Sequence, residues 1–172
     1  GDGAIVLEPR IEYMQAFAVV GVEGTFIGSQ SPGATNSEVV PQLWGEFNPR
    51  VGEVRHRIEA GVRYGVMYCR PESDRSHPDE LQYIAGARVG SADDVPLGMT
   101  HFEVPAATFA VFTHSGPLGK LTETIRYIDR TWAPASKYEH SGIEIERYDD
   151  RYREDSEDSV MEYSVSVVRK TY

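Results

Sequence analysis

The stretch FAVFTHSGPLGKL, which begins at Phe109, echoes an earlier stretch of the same chain. Phe17-Ala18-Val19 followed by Gly24 matches Phe109-Ala110-Val111 followed by Gly116, an offset of 109 − 17 = 92. The ends of the two halves match as well. Tyr68, Leu81 and Tyr83 fall on Tyr148, Met161 and Tyr163 at an offset of 148 − 68 = 80, the first half carrying a longer insertion before its helix. Two copies of one supersecondary unit, at about 7–90 and 99–169, imply a pseudo-twofold domain with a cleft at the seam, where ligands tend to bind.

The unit itself is readable. Residues 11–23 become apolar and β-branched and predict a strand. A Gly-, Ser- and Pro-rich loop follows. Asn36 or Ser37 then caps a helix whose Val40, Leu43, Trp44 and Phe47 share one face, and Pro41 is tolerable there only within the first turn. Residues 64–70 and 81–89 read as a strand pair, and 101–114 as a strand or bent strand pair. Ser115 is the expected cap of a second helix, with Pro117 in its first turn and Leu118, Leu121, Ile125, Ile128 and Trp132 as its apolar face before Ala133-Pro134 ends it. Residues 142–149 and 160–169 complete a last strand pair. Strand, helix, strand, strand, repeated once, predicts an α+β fold with a largely antiparallel sheet and two helices. A length of 172 residues suits a single domain, 1–172, able to bury roughly 70% of its unfolded surface.

Charge and motif content narrow the function. A formal net charge of −10 disfavours phosphate-backbone binding and fits cationic partners. Much of that charge lies in 144–158, where acids alternate with arginines in what reads as a solvated hairpin loop. No apolar run is long enough for a bilayer and no signal pattern opens the chain, so no membrane partner is expected and the reading is cytoplasmic. The lone Cys69 fits a reducing compartment and a packed thiol. The five histidines lack metal-ligand spacing, no phosphate-binding glycine fingerprint occurs, and no nucleophile elbow or helix-turn-helix segment is evident. No metal, cofactor or direct nucleic-acid partner is therefore expected.

Residues two apart on a strand line one face. Tyr64, Val66 and Tyr68 share a side, and the offset of 80 carries them onto Glu144, Glu146 and Tyr148. Tyr83 and Tyr163 fall on neighbouring strands. If that side faces the helices, the cleft is lined by tyrosine rings with one or two carboxylates among them. Aromatic walls attract organic cations by roughly 0.5–2 kcal/mol per contact, and a carboxylate in a dry pocket gains its missing partner from a bound cation. Burial would raise that acid's pKa, so affinity for cations should weaken below neutral pH. The alternative for Glu144 and Glu146 is a solvent-facing strand position; for Trp44 and Trp132 it is a core anchor.

FAVFTHSGPLGKLTETIRYIDRTWAPASKYE followed by IERYD resembles the GyrI-like small-molecule-binding domain, the effector-binding domain of multidrug-responsive bacterial transcription activators. EPR near the start, LWGEF and YIAGARV extend the likeness from about residue 7 to residue 169. The closing SVSVVRK lacks the proline often seen there, and the chain has no room for an added DNA-binding domain, so a stand-alone member is expected. The resemblance implies a buried ligand-pairing acid at Glu146, with Tyr148 and Tyr68, then Tyr83, Tyr163 and Trp132, as aromatic contacts; Glu139 also matches a family position. The expected function is binding of amphipathic, cationic small molecules as a sensor or sequestering protein. The alternative is hydrolysis of reactive electrophiles with Glu146 as general acid or base. A further reading has the acidic 149–158 loop dock a separately encoded transcription regulator.

Overall fold

The computed structural model describes residues 7–171, so the two ends of the expected 1–172 range lie outside the described residues. Eight strands form one antiparallel sheet: β1 (Arg10–Met14), β2 (Phe17–Ile27), β3 (Arg63–Tyr68), β4 (Glu80–Val89), β5 (Thr100–Val104), β6 (Ala107–Ser115), β7 (Tyr138–Tyr148) and β8 (Val160–Arg169). Their order is β1-β6-β8-β7-β3-β4-β2-β5. The expected α+β unit is therefore present twice, as β2-α1-β3-β4 and β6-α2-β7-β8. Each copy is preceded by a short leader strand; the sequence reading merges β1 with β2, and its bent strand pair over 101–114 corresponds to β5 and β6.

The leaders exchange halves. β1 precedes β2 in the chain yet pairs with β6, and β5 precedes β6 yet pairs with β2. Only Gln15-Ala16 joins β1 to β2, and only Pro105-Ala106 joins β5 to β6. Three Cα steps of 3.8 Å span at most about 11 Å. Because β1 and β2 stand near opposite ends of the strand order, links this short force the sheet to curl until its ends meet. Inside the curl, Val19, Val66, Ile84, Val104, Phe109, Val111 and Ile145 from both ends of the order form one buried cluster. Gly21 and Gly86 face one another across β2 and β4, where a Cβ on Gly21 would lie 2.1 Å from the Ala85 carbonyl oxygen. Only glycine lets the backbones approach this closely at the bend.

The outer face carries the second core and both helices. Val20, Val22, Phe26, Met67, Tyr83, Phe112, Tyr163 and Val165 pack there with Leu43 and Phe47 of α1 (Asn36–Phe47) and Leu121 of α2 (Leu121–Tyr127). Thr35 holds the N-cap position of α1, so Asn36 and Ser37 are its first helical residues and Pro41 sits in the second turn. The Thr35 hydroxyl accepts the Ile27 N–H at 2.8 Å and so ties the helix start to the end of β2.

Ser115 is not the cap of the second helix: it ends β6. Pro117 stands at the extended residue before a 3-10 turn, Leu118–Lys120, that leads into α2. The buried His114 pins this entry, with Nδ1 2.7 Å from the Thr124 hydroxyl and Nε2 3.1 Å from the Pro117 carbonyl. The helix continues through a π turn (Ile128–Trp132) and a last α turn (Ala133–Ala135) before Ser136. Pro134 has no N–H for the carbonyl four residues back, and the widened turn directly before it absorbs the mismatch. No helix among the described residues is long and apolar enough to cross a membrane.

Candidate functional site

A cavity of about 920 Å³ opens between the two helices and the outer face of the sheet. Its floor is Met67 of β3, Tyr83 of β4, Glu144, Glu146 and Tyr148 of β7, and Tyr163 of β8; Trp44 of α1 and Ile125 of α2 form opposite walls. The β7–β8 loop adds Tyr152 as well as Glu154 and Asp155. The cavity thus lies at the seam, on the β3–β7 pairing that joins the halves.

Glu146 is its most constrained group, 6% exposed. Tyr83 and Tyr148 donate their hydroxyls to the same oxygen, Oε1, at 2.5 and 2.8 Å. Trp44 donates its indole N–H to the Tyr83 hydroxyl at 2.8 Å and packs edge-on against both tyrosine rings, 6.3 and 5.6 Å between centroids. Tyr152 extends this aromatic wall, 5.0 Å from Tyr148. Oε2 accepts no hydrogen bond among the described residues and belongs to a side chain that lines the cavity. One carboxylate oxygen is saturated and held still, and the other is open to a ligand.

Burial, with a smaller push from the neighbouring Glu144, outweighs the two tyrosine hydrogen bonds and holds the Glu146 carboxyl up to about 6. Burial likewise holds the Tyr83 and Tyr148 hydroxyls well above their usual range, reinforced by the Glu146 charge, so both remain donors.

Gly65 makes this constellation possible. It pairs with Glu146 on the neighbouring strand, and a Cβ there would fall 2.2 Å from the Tyr83 hydroxyl oxygen and 2.8 Å from Glu146 Oε1. Tyr83 on β4 reaches across β3, over Gly65, to meet an acid on β7. Sequence reasoning missed this residue, although a glycine inside the strand RYGVMY is the usual signal of a close approach.

A second group of polar side chains lies toward α2. Glu144 and Asp129 both line the cavity, and burial together with Glu144 raises the Asp129 carboxyl. His140 Nε2 is 3.5 Å from Glu144 Oε1, and that contact raises the His140 pKa. Arg63, also at the cavity wall, donates to Asn48, the residue that follows α1. The lining carries five carboxylates (Asp129, Glu144, Glu146, Glu154, Asp155) against one guanidinium, so its field is negative. Among the described residues no cluster of three or more His, Cys, Asp or Glu is arranged to hold a metal ion.

The structure brings together Glu146, Tyr148, Tyr83, Tyr163, Trp44 and Glu144 of the sequence-predicted residues, and it separates three others. Tyr68 lies inside the curled sheet, donating to Glu23 at 2.8 Å and stacked on Phe102 at 4.1 Å. The offset of 80 fails in this strand. Met67 pairs with Tyr83 and Glu146 pairs with Tyr163, so Met67, not Val66, is the positional mate of Glu146. A one-residue slip in a strand moves every side chain to the other face. Trp132 packs edge-on against Phe112 and parallel to Tyr138, outside the cavity lining, and Glu139 is an exposed residue near the start of β7.

Residues 7–168 match the sequence profile of the GyrI-like small molecule binding domain. The transcriptional regulator BrlR of Pseudomonas aeruginosa is 35% identical over 148 residues, covering 86% of this chain and 50% of BrlR, so the chain spans about half of that relative's length. Among solved structures, SAV2435 bound to tetraphenylphosphonium superposes with a TM-score of 0.70 at 14% identity, over 94% of either chain. The C-terminal domain of EcmrR superposes with a TM-score of 0.67 at 14% identity, over 96% of this chain and 100% of that one.

Proposed function

The chain belongs to the GyrI-like small-molecule-binding family, and we propose that its cavity takes up amphipathic organic cations, with Glu146 as the group that neutralises their charge. The observation that carries this reading is the half-satisfied carboxylate. Oε1 is locked by two tyrosines while Oε2 faces a cavity walled by Trp44, Tyr83, Tyr148 and Tyr152. A carboxylate buried without a counter-ion is costly, and a cation with apolar substituents supplies the missing charge while its rings or alkyl groups displace water from the walls. Tetraphenylphosphonium, the molecule in the SAV2435 structure, has this character: a permanent positive charge wrapped in phenyl rings. The likeness to the transcriptional regulator BrlR extends the proposal to its use, as a sensor whose occupancy is reported to transcription or as a sequestering domain.

Tryptophan fluorescence tests it directly, because Trp44 lines the cavity and Trp132 does not. Titration with tetraphenylphosphonium should give saturable quenching that is lost in Trp44→Phe and kept in Trp132→Phe. The neutral analogue tetraphenylmethane, solubilised to the same concentration, should bind at least tenfold more weakly. Equal affinity for both would overturn the charge-pairing reading. Turnover of a small electrophile that disappears in Glu146→Gln would replace it with the hydrolytic one.

A further inference from the structure

Arg63 is out of place in a cavity for cations. Its half-buried side chain is the lone positive group of the lining among the described residues. Arg10, Arg50, Arg70, Arg88, Arg147 and Arg151 each pair with a carboxylate. Arg63 forms no ion pair among the described residues, although five carboxylates line the same cavity. Its partner is neutral: a terminal N–H is donated to the side-chain carbonyl of Asn48, the first residue of the 3-10 turn after α1. That bond orients the guanidinium and leaves its other N–H groups without an acceptor among the described residues. A tie from β3 to Asn48 needs only a neutral donor. A full charge held beside a bound cation weakens that cation's binding, so the charge answers to another part of the ligand.

Register puts this charge beside the first one. Arg63 pairs with Tyr148 on β7, and Gly65 pairs with Glu146. Residues two apart share a strand face. Met67 packs in the outer core and Gly65 lies against the Tyr83 hydroxyl and Glu146, so Arg63 belongs to the cavity side with them. It stands one step of two residues from the level of Glu146, roughly 7 Å along the strand. Tyr148 starts at the level of Arg63 and donates its hydroxyl to Glu146, so its ring spans the interval between the two charges.

We propose that Arg63 sets the ligand class: the cavity is built for zwitterionic amphiphiles, whose cationic centre pairs with Glu146 and whose anionic group pairs with Arg63. The proposal rests on the reading of Glu146 as the cation's partner. The two charges of such a ligand are about 7 Å apart, the spacing of the two levels on the strand, and an apolar ring or chain between them lies along Tyr148. A guanidinium held by one nitrogen still presents N–H groups in a planar fork, the geometry in which arginine takes a carboxylate or phosphate by paired hydrogen bonds. The five carboxylates of the lining oppose an anion elsewhere in the cavity. The anionic end therefore has one place to go, and the ligand one orientation.

The test uses two probes of one shape: (4-carboxyphenyl)triphenylphosphonium, a zwitterion at pH 8, and its carboxamide, a monocation. Affinities are measured by calorimetry at pH 8 and constant ionic strength, with tetraphenylphosphonium as the reference ligand. The native chain should bind the carboxylate about fivefold more tightly than the amide, against the negative field of the lining. Arg63→Gln keeps an N–H donor for Asn48 and removes the charge. It should reverse the order, weakening the carboxylate by about tenfold and strengthening the amide by about threefold. A gain for the amide also reports an intact cavity. Arg63→Lys keeps the charge without the planar fork and should retain part of the carboxylate preference. A guanidinium that serves only as a tie gives a different result: Arg63→Gln changes both probes in the same direction. A native chain that binds the amide as tightly as the carboxylate overturns the role of Arg63. If tetraphenylphosphonium then still binds and still requires Glu146, the cation site stands alone. Failure of tetraphenylphosphonium to bind overturns both readings. A carboxylate preference that survives Arg63→Gln refutes the proposal.

Discussion

Binding of a permanent cation should follow the ionisation of Glu146. Its carboxyl is pushed up to about 6, above the ordinary 4.5, because burial disfavours the charged form more than Tyr83 and Tyr148 favour it. Only the ionised form pairs with a cation. At pH 8 nearly all of the protein is competent; at pH 5 roughly one carboxylate in ten is ionised, and apparent affinity should fall about tenfold, ~1.4 kcal/mol. Below pH 6 the logarithm of Kd should rise by about one per pH unit, and above pH 7 it should be flat. Tetraphenylphosphonium is the suitable ligand because its own charge does not titrate. Calorimetry in buffers of different ionisation enthalpy should register the linked proton: close to one released per cation bound at pH 5, none at pH 8. Other groups in and beside the cavity also titrate. Asp129, in the lining, has a raised carboxyl, and His140, outside the lining but against Glu144, has a raised pKa, gains positive charge as pH falls and repels a cation. Glu146→Gln separates them, since any slope that remains in the variant belongs to those neighbours. A native profile that is flat from pH 5 to 8, or one whose slope Glu146→Gln leaves unchanged, refutes the assignment.

The same shift bears on stability with the opposite sign to most carboxylates. The folded state holds the Glu146 proton more tightly than the unfolded chain, so this group's contribution is complete below about pH 4.5 and is lost as pH rises through 6. Taken at face value the shift is ~2 kcal/mol, so ligand-free Glu146→Gln should melt several degrees above the native chain at pH 8 and level with it at pH 4; a lower melting temperature at pH 8 would contradict the burial argument. Gly65→Ala drives a methyl group into the Tyr83 hydroxyl and Glu146, and should weaken tetraphenylphosphonium binding by at least tenfold while the far-ultraviolet circular dichroism is retained. Tyr68→Phe removes a hydrogen bond to Glu23 inside the curled sheet; it should destabilise by about 1–2 kcal/mol in chemical denaturation and leave cation affinity within twofold of native. A large loss of affinity there would return Tyr68 to the ligand.

The repeated unit was legible because its signals are local: β-branched runs, helical apolar stripes and glycine-rich joints that recur along the chain. Glu146 was legible through its motif and its alternation with Ile145. What sequence could not supply was pairing. The leaders β1 and β5 adjoin β2 and β6 in the chain, and adjacency ordinarily predicts a hairpin, yet each crosses to the other half. Tyr68 was lost to register. Parity along a strand is absolute, so a repeat alignment wrong by one residue assigns the wrong face to the whole strand. Trp132 was lost to helix phase. Counting from Leu118 in steps of three and four puts it on the Ile125 face, but the π turn inserts a residue and turns it toward Phe112 and Tyr138. The same turn holds Asp129, which no periodicity argument would place in the cavity.

A symmetric scaffold holding an asymmetric site has a physical reason. Had the positional mate of Glu146 also been an acid, two buried carboxylates would share the seam and one would keep its proton at neutral pH. That mate is Met67, which closes the floor without charge. Its strand neighbour Gly65 leaves the gap through which Tyr83 crosses from β4 to β7. Two uncharged residues of β3, Met67 and Gly65, thus decide the electrostatics of the cavity: one removes a competing charge, and the other admits the hydroxyl that holds the remaining charge in place. On the other side of β7, Tyr163 needs no such gap, because β8 is the adjacent strand, and its hydroxyl is left facing Glu144. Duplication supplied two equivalent positions for an acid and a tyrosine; divergence at Met67 and Gly65 turned one of them into a preorganised anion and left the other open.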